Sequence, residues 1–157
     1  ADNRGQFAPY YGGSGCYDYD AVSIITNLHR KISSDEKKLI IKTGNTILSE
    51  QNSDGGFSES QWIRPRSVIT ISNGIRHVLN AKGSSKIERL RYFIALNRKS
   101  NSLMHTHWTK KSRKWSESNI WDTWFRIMTI ARIDIALNKK NLSRWKFIKF
   151  PGIGHYN

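Results

Sequence analysis

Directly after Gly12-Gly13-Ser14-Gly15 the chain runs Cys16-Tyr17-Asp18-Tyr19-Asp20, which places a thiol and two carboxylates within a single turn's length of sequence. Asp18 and Asp20 can serve as general acid or base, or can cap a helix by accepting its first amide hydrogens. An Asp-x-Asp pair can also hold a sugar nucleotide, but that arrangement follows a strand, and here glycines come first. Cys16 becomes a nucleophile only beside a histidine, and the sequence does not show whether His29, His105, His107 or His155 approaches it. Asp122, between Trp121 and Trp124, is either an N-terminal cap or a pocket carboxylate. His105 and His107 form a His-x-His pair without a third ligand at a defined spacing, and Lys110, Lys111, Arg113 and Lys114 beside it would repel a cation. No metal site and no cofactor is expected.

The chain of 157 residues is long enough for one domain with a real core, and no linker divides it. Its 26 Lys and Arg against 12 Asp and Glu give a net charge of +14, which suits contact with phosphates, anionic glycans or lipid headgroups without choosing among them. A single cysteine excludes an internal disulfide, so packing must hold the fold and a reducing cytoplasm is the expected location. No apolar run approaches the roughly 18 residues of a membrane span. The start lacks both an initiator methionine and the apolar core of a signal peptide, so the chain is expected to be part of a longer protein.

Helical periodicity dominates. Ala21, Ile24, Ile25 and Leu28 define a first helix from Asp20, with Asp18 or Asp20 as its preferred cap, worth about 1 kcal/mol. Ser33 and Glu36 have the spacing of a capping box and open a second helix carrying Leu39, Ile40, Thr43, Ile47 and Leu48. Asp54-Gly55-Gly56 ends it in a turn. Beyond Pro65, the residues Val68, Ile71, Ile75, Val78 and Leu79 mark a third helix that Asn73-Gly74 weakens. Ser84-Ser85 opens a fourth through Ile87, Leu90, Phe93 and Ile94. Residues 99 to 117 read as a polar loop. The last helix is the strongest, with Ile120, Trp121, Trp124, Phe125, Met128, Ala131 and Ile135 forming an apolar face so broad that burial on more than one side is expected. The aromatic tail from Arg144 is expected to be irregular. The fold class is all-α, built of antiparallel helical hairpins.

Three stretches share a resemblance. Gln51-Asn52-Ser53-Asp54-Gly55-Gly56-Phe57 resembles the Gln-x-x-Asp-Gly-Gly-aromatic turn of helical repeats in the squalene cyclase and protein prenyltransferase superfamily. The segment from Asn119 to Ile133 resembles the aspartate-threonine-aromatic helix starts of those repeats, and Ser14 to Val22 is placed like another. The resemblance implies an α/α toroid, of which this chain has helices for only part, and isoprenoid substrates in its middle. It also implies what is missing. Ser14 stands where the zinc-binding Asp of the prenyltransferases would be, and Asp122 where their His would be, so only Cys16 of that ligand set is kept. Asp18-Tyr19-Asp20-Ala21 keeps the first two aspartates of the cyclase acid stretch and lacks the third, which removes part of what would hold the acid protonated.

The expected site is an acidic, aromatic-lined pocket at which two helix N-termini converge. Asp18, Asp20 and Asp122 are its carboxylates, and Cys16, Tyr17, Tyr19, Trp121 and Trp124 its wall. The expected ligand is an isoprenoid or lipid-linked small molecule, with contact at a membrane face admitted and catalysis left open. The alternative is a non-enzymatic module that binds a polyanion, nucleic acid or acidic glycan, through the basic surface. Self-association, or the remainder of a larger chain, is expected to cover exposed helix flanks.

Overall fold

A computed structural model describes residues 1–27, 31–61, 67–98, 103–104, 113–114, 116–138, 140 and 144–145. The fold is all-α. Helices α1 (Gly15–Asn27), α2 (Ser34–Ser49), α3 (Val68–Leu79) and α4 (Ser84–Arg98) come first, then the two-residue strands β1 (Leu103–Met104) and β2 (Arg113–Lys114), then α5 (Ile120–Leu137). The strands pair antiparallel, Leu103 opposite Lys114. Helix α5 packs along α1 and against α2, while α3 and α4 form a hairpin of their own. The loop histidines His105 and His107, and Pro65, Trp115, His29 and His155, lie outside the described residues.

Helix α2 starts as its residues dictate. The Ser33 hydroxyl accepts from the Glu36 amide at 3.2 Å and the Glu36 carboxylate accepts from the Ser33 amide at 2.9 Å, closing both halves of a capping box. Its inner face carries Ile40, Thr43 and Ile47, all fully buried, and Ile40 meets Val22 of α1 and Ile133 of α5 in one core cluster. Each of the two isoleucines contributes about 1.5–3 kcal/mol by leaving water. A second cluster joins Tyr19 of α1 to Phe125 and Met128 of α5.

The turn after α2 is where the chain reverses towards α5. Gly55 takes φ +83°, a conformation that side-chain-bearing residues rarely adopt. Asp54 accepts from the Gly56 amide at 2.9 Å and from the Ser118 hydroxyl at 2.7 Å, and Gln51 donates to the Gly55 carbonyl at 2.8 Å. Phe57 is buried and its amide donates to Thr123 Oγ1 at 2.9 Å, so the turn is fastened to the first turn of α5.

The segment before α1 is the part that sequence periodicity passes over. It runs through the interior: Gln6, Ala8 and Ser14 are buried, and several of its carbonyls accept side-chain hydrogen bonds. Thr43 Oγ1 donates to the Gly5 carbonyl at 2.6 Å, Thr46 to Arg4 at 2.7 Å and Ser60 to Gly12 at 3.1 Å. Tyr10 then reaches the hairpin, its ring 5.8 Å from that of Tyr92 on α4. This segment joins the α1–α2–α5 group to the α3–α4 hairpin.

Candidate functional site

Helix α1 begins at Gly15 rather than near Asp20, so neither Asp18 nor Asp20 caps it; both are already within the helix. The glycines and Ser14 bring the chain sharply enough into α1 that the helix starts before the aspartates are reached. Helix α5 is capped by Asn119, whose side chain accepts from the Asp122 amide at 2.9 Å and donates to Asp122 Oδ2 at 2.6 Å. Asp122 is therefore a first-turn carboxylate and not the cap, and it is fully buried. A Cβ on Gly15 would stand 3.4 Å from Asp122 Oδ1, so the two helix starts do adjoin.

The carboxyl that joins Asp122 there is Glu59, from the strand-like run after the turn. Burial pushes the Glu59 carboxyl up, and the neighbouring Asp122 pushes it further. Tyr10 donates to Glu59 Oε1 at 2.7 Å. The Cys16 sulfur lies 3.4 Å from Ser14 Oγ, and burial, with Glu59 and Asp122 adding to it, raises the thiol and keeps it protonated. Cys16 is thus a poor nucleophile where it stands.

The three aspartates have three separate surroundings. Asp20 is exposed. Asp18 turns inward, where Oδ1 accepts the Phe7 amide at 2.8 Å, and burial raises its carboxyl to about 7 although Arg126 opposes the rise. The expected aromatic wall divides likewise. Tyr17, Trp121 and Trp124 are 39%, 41% and 40% exposed, available to a ligand, whereas Tyr19 is buried with its ring 5.5 Å from that of Phe125. Tyr17 is hydrogen-bonded to Tyr92, which with burial pushes its hydroxyl up to about 12.

Beneath this lies a charged core. Glu50 receives Arg4 Nη2 and Arg126 Nη1, each at 2.9 Å, and the Gln6 amide at 3.0 Å. Arg126 also donates to the carbonyls of Ser58 at 3.2 Å and Glu59 at 3.0 Å. Burial pushes Glu50 up and the two guanidinium groups push it back. With donors on both oxygens, Glu50 is held as the carboxylate. These residues fix the run that carries Glu59. Among the described residues, no group of three or more His, Cys, Asp or Glu is arranged to hold a metal ion.

Neither of the two clefts at the α3–α4 hairpin is lined by Asp18, Asp20 or Asp122. The first is apolar, about 490 Å³ counted with its mouth, and runs between the N-terminal segment and the hairpin against Tyr10, Ile71, Val78, Phe93 and Leu96. The second is polar, and Asn73, Arg76 and Asn80 line it. Tyr11, His77 and Arg89 line both. Tyr10 connects this region to the acid pair, since its ring lines the apolar cleft while its hydroxyl rests on Glu59. His77, Arg89 and Glu59 carry no motif; Gly74, which abuts Phe93, is the one local signal that a close approach occurs there. No protein-family model, curated protein or solved structure matches the chain.

Proposed function

We propose that the chain is a helical-repeat domain of the cyclase and prenyltransferase kind that binds an apolar, isoprenoid-like ligand in the cleft between its N-terminal segment and the α3–α4 hairpin. The observation that carries this reading is the cleft itself: aliphatic and aromatic side chains form its walls, and polar groups gather at one end. The Gln51–Phe57 turn supports the repeat reading, because its Asp, Gln and aromatic residues do the fastening that such a turn performs between hairpins. The acid pair Glu59–Asp122 lies behind Tyr10, at the wall of the cleft, and is the group to assay should turnover be found. No helix among the described residues is long and apolar enough to cross a membrane.

The test uses farnesol as the apolar probe, with binding read from tyrosine and tryptophan fluorescence. Ile71 lines the cleft and is 38% exposed, while Ile75, one turn on, is 45% exposed and does not line it. Both tolerate a lysine without burying its charge. The I71K variant is expected to lose at least about tenfold in affinity, equivalent to about 1.4 kcal/mol, and I75K to bind as wild type. Equal binding by both variants and the wild type would show that the cleft is not the site.

A further inference from the structure

Residues 7–10 belong to no helix, yet they form one side of the apolar cleft, where Pro9 and Tyr10 line it. Titratable side chains from three directions hold them in place. The Phe7 amide donates to Asp18 Oδ1 of α1 at 2.8 Å, the Ala8 carbonyl lies against His77 of α3, and the Tyr10 hydroxyl donates to Glu59 Oε1 at 2.7 Å. Pro9 has no amide hydrogen to add.

Asp18 is the anchor that the closed arrangement accommodates worst when it is charged. It is fully buried, and its Oδ2 has no hydrogen-bond partner. An ionised carboxyl there keeps a charge in the interior with one oxygen unsolvated, whereas a neutral one leaves a hydroxyl, which costs far less. The groups that face it are Arg126 from α5, which favours the charge, Glu50 at the end of α2 and Asp2 of the N-terminal segment, which oppose it, and the Ala1 amine. Arg126 already spends Nη1 on Glu50 at 2.9 Å. Burial therefore wins, and the carboxyl rises from 3.8 to about 7. Lifting residues 7–10 would admit water to both oxygens and return Asp18 to its ordinary range. We propose that residues 7–10 are a pH-sensitive strap over the cleft, closed while Asp18 is protonated and released from α1 when it ionises. The sign follows from the raised value: the closure that Asp18 contributes is complete below its ordinary range and is lost as the pH rises through about 7.

The test follows amide hydrogen exchange by NMR on the full chain without ligand, so its outcome is separate from that of the apolar-ligand reading. Protection of the Phe7 amide is measured at about pH 5.5 and about pH 8.5 in wild type and in D18N, which keeps the acceptor for that amide but cannot ionise. Glu59 and His77 are present in both proteins, so their own titrations cancel in the ratio. Protection in D18N relative to wild type is expected to rise roughly tenfold to thirtyfold across that interval, and a rise of less than about threefold would overturn the strap. Met128, in the core of α5, reports unfolding of the whole chain. At the alkaline condition Phe7 should be protected at least about tenfold less than Met128, and equal protection would overturn local release. Should D18N not fold, the Asp18 carboxyl carbon of the wild type decides: it should titrate well above 3.8, and a midpoint at or below that value would overturn the proposal.

Discussion

Replacing Asp18 by Asn separates a core carboxyl from a helix cap and from a catalytic acid. Asp18 is fully buried, and its carboxyl is raised from an ordinary 3.8 to about 7, first of all by burial. Between those values the folded chain binds a proton that the unfolded chain has lost. The stability associated with Asp18 is therefore present below the lower value and is lost as the pH rises through the upper one. A difference of about three pH units, at about 1.4 kcal/mol for each, makes the whole loss on the order of 4 kcal/mol. Roughly 3 kcal/mol of it falls between about pH 5 and about pH 8.5. Asn keeps the oxygen that accepts the Phe7 amide but cannot ionise. In urea denaturation followed by tryptophan fluorescence, D18N should gain that amount relative to wild type on passing from the acid to the alkaline condition. D18A, which leaves the Phe7 amide without its acceptor, should be less stable than D18N at both. Parallel pH profiles for D18N and wild type would show that Asp18 is ionised in the core and compensated by Arg126, which would refute the reasoning.

Two further substitutions test the charged core and the packing of α3 on α4. R126M leaves Glu50 with Arg4 as its remaining ion-pair partner and strips the Ser58 and Glu59 carbonyls of their donor, so a loss of about 3–5 kcal/mol in urea denaturation is expected; the E50Q/R126M double variant should recover part of it, and a loss below about 1 kcal/mol would mean that the network adds little. In G74A the new Cβ would meet the Phe93 ring at 2.8 Å, which should turn the usual helix gain from Gly to Ala, about 1 kcal/mol, into a loss of about 1–3 kcal/mol by thermal denaturation; a more stable G74A would show that α3 and α4 do not approach so closely.

What was legible beforehand is what neighbouring residues decide. The capping box of Ser33 and Glu36 and the positive-φ turn at Gly55 are settled within a few residues, and both are present as read. The helices α1 to α5 among the described residues follow from periodicity in the same way. The start of α1 was misread because aspartates before an apolar pattern are good caps, yet the inward pull of the Phe7 amide on Asp18 comes from a different part of the chain. The broad face of α5 was misjudged for a related reason. Ile120, Trp121 and Trp124 look like core but are 90%, 41% and 40% exposed, whereas Arg126 is 1% exposed. Glu50 and the carbonyls of Ser58 and Glu59 make a place for that guanidinium, and none of them is near it in sequence.

The same distinction explains the site. An acidic centre at two converging helix starts was expected, and Gly15 and Asp122 do meet, but the second carboxyl beside Asp122 is Glu59, delivered by a turn and held by Arg126. On α3 and α4 the apolar stripes are present as spaced, yet Val68, Leu79 and Ile87 stand 84%, 62% and 59% exposed. Periodicity reports that a face is apolar, not what covers it. The covered side of α3 carries Gly74, His77 and Val78 instead, two of them residues that no hydrophobic pattern would select. It is this side that closes on Phe93 and lines the clefts, because a glycine admits a ring and a histidine can turn one nitrogen to Arg89. Of that stripe, Ile71 lines the apolar cleft and Ile75 does not, which is why a lysine at Ile75 and a lysine at Ile71 are expected to differ although the two residues are equally apolar and nearly equally exposed.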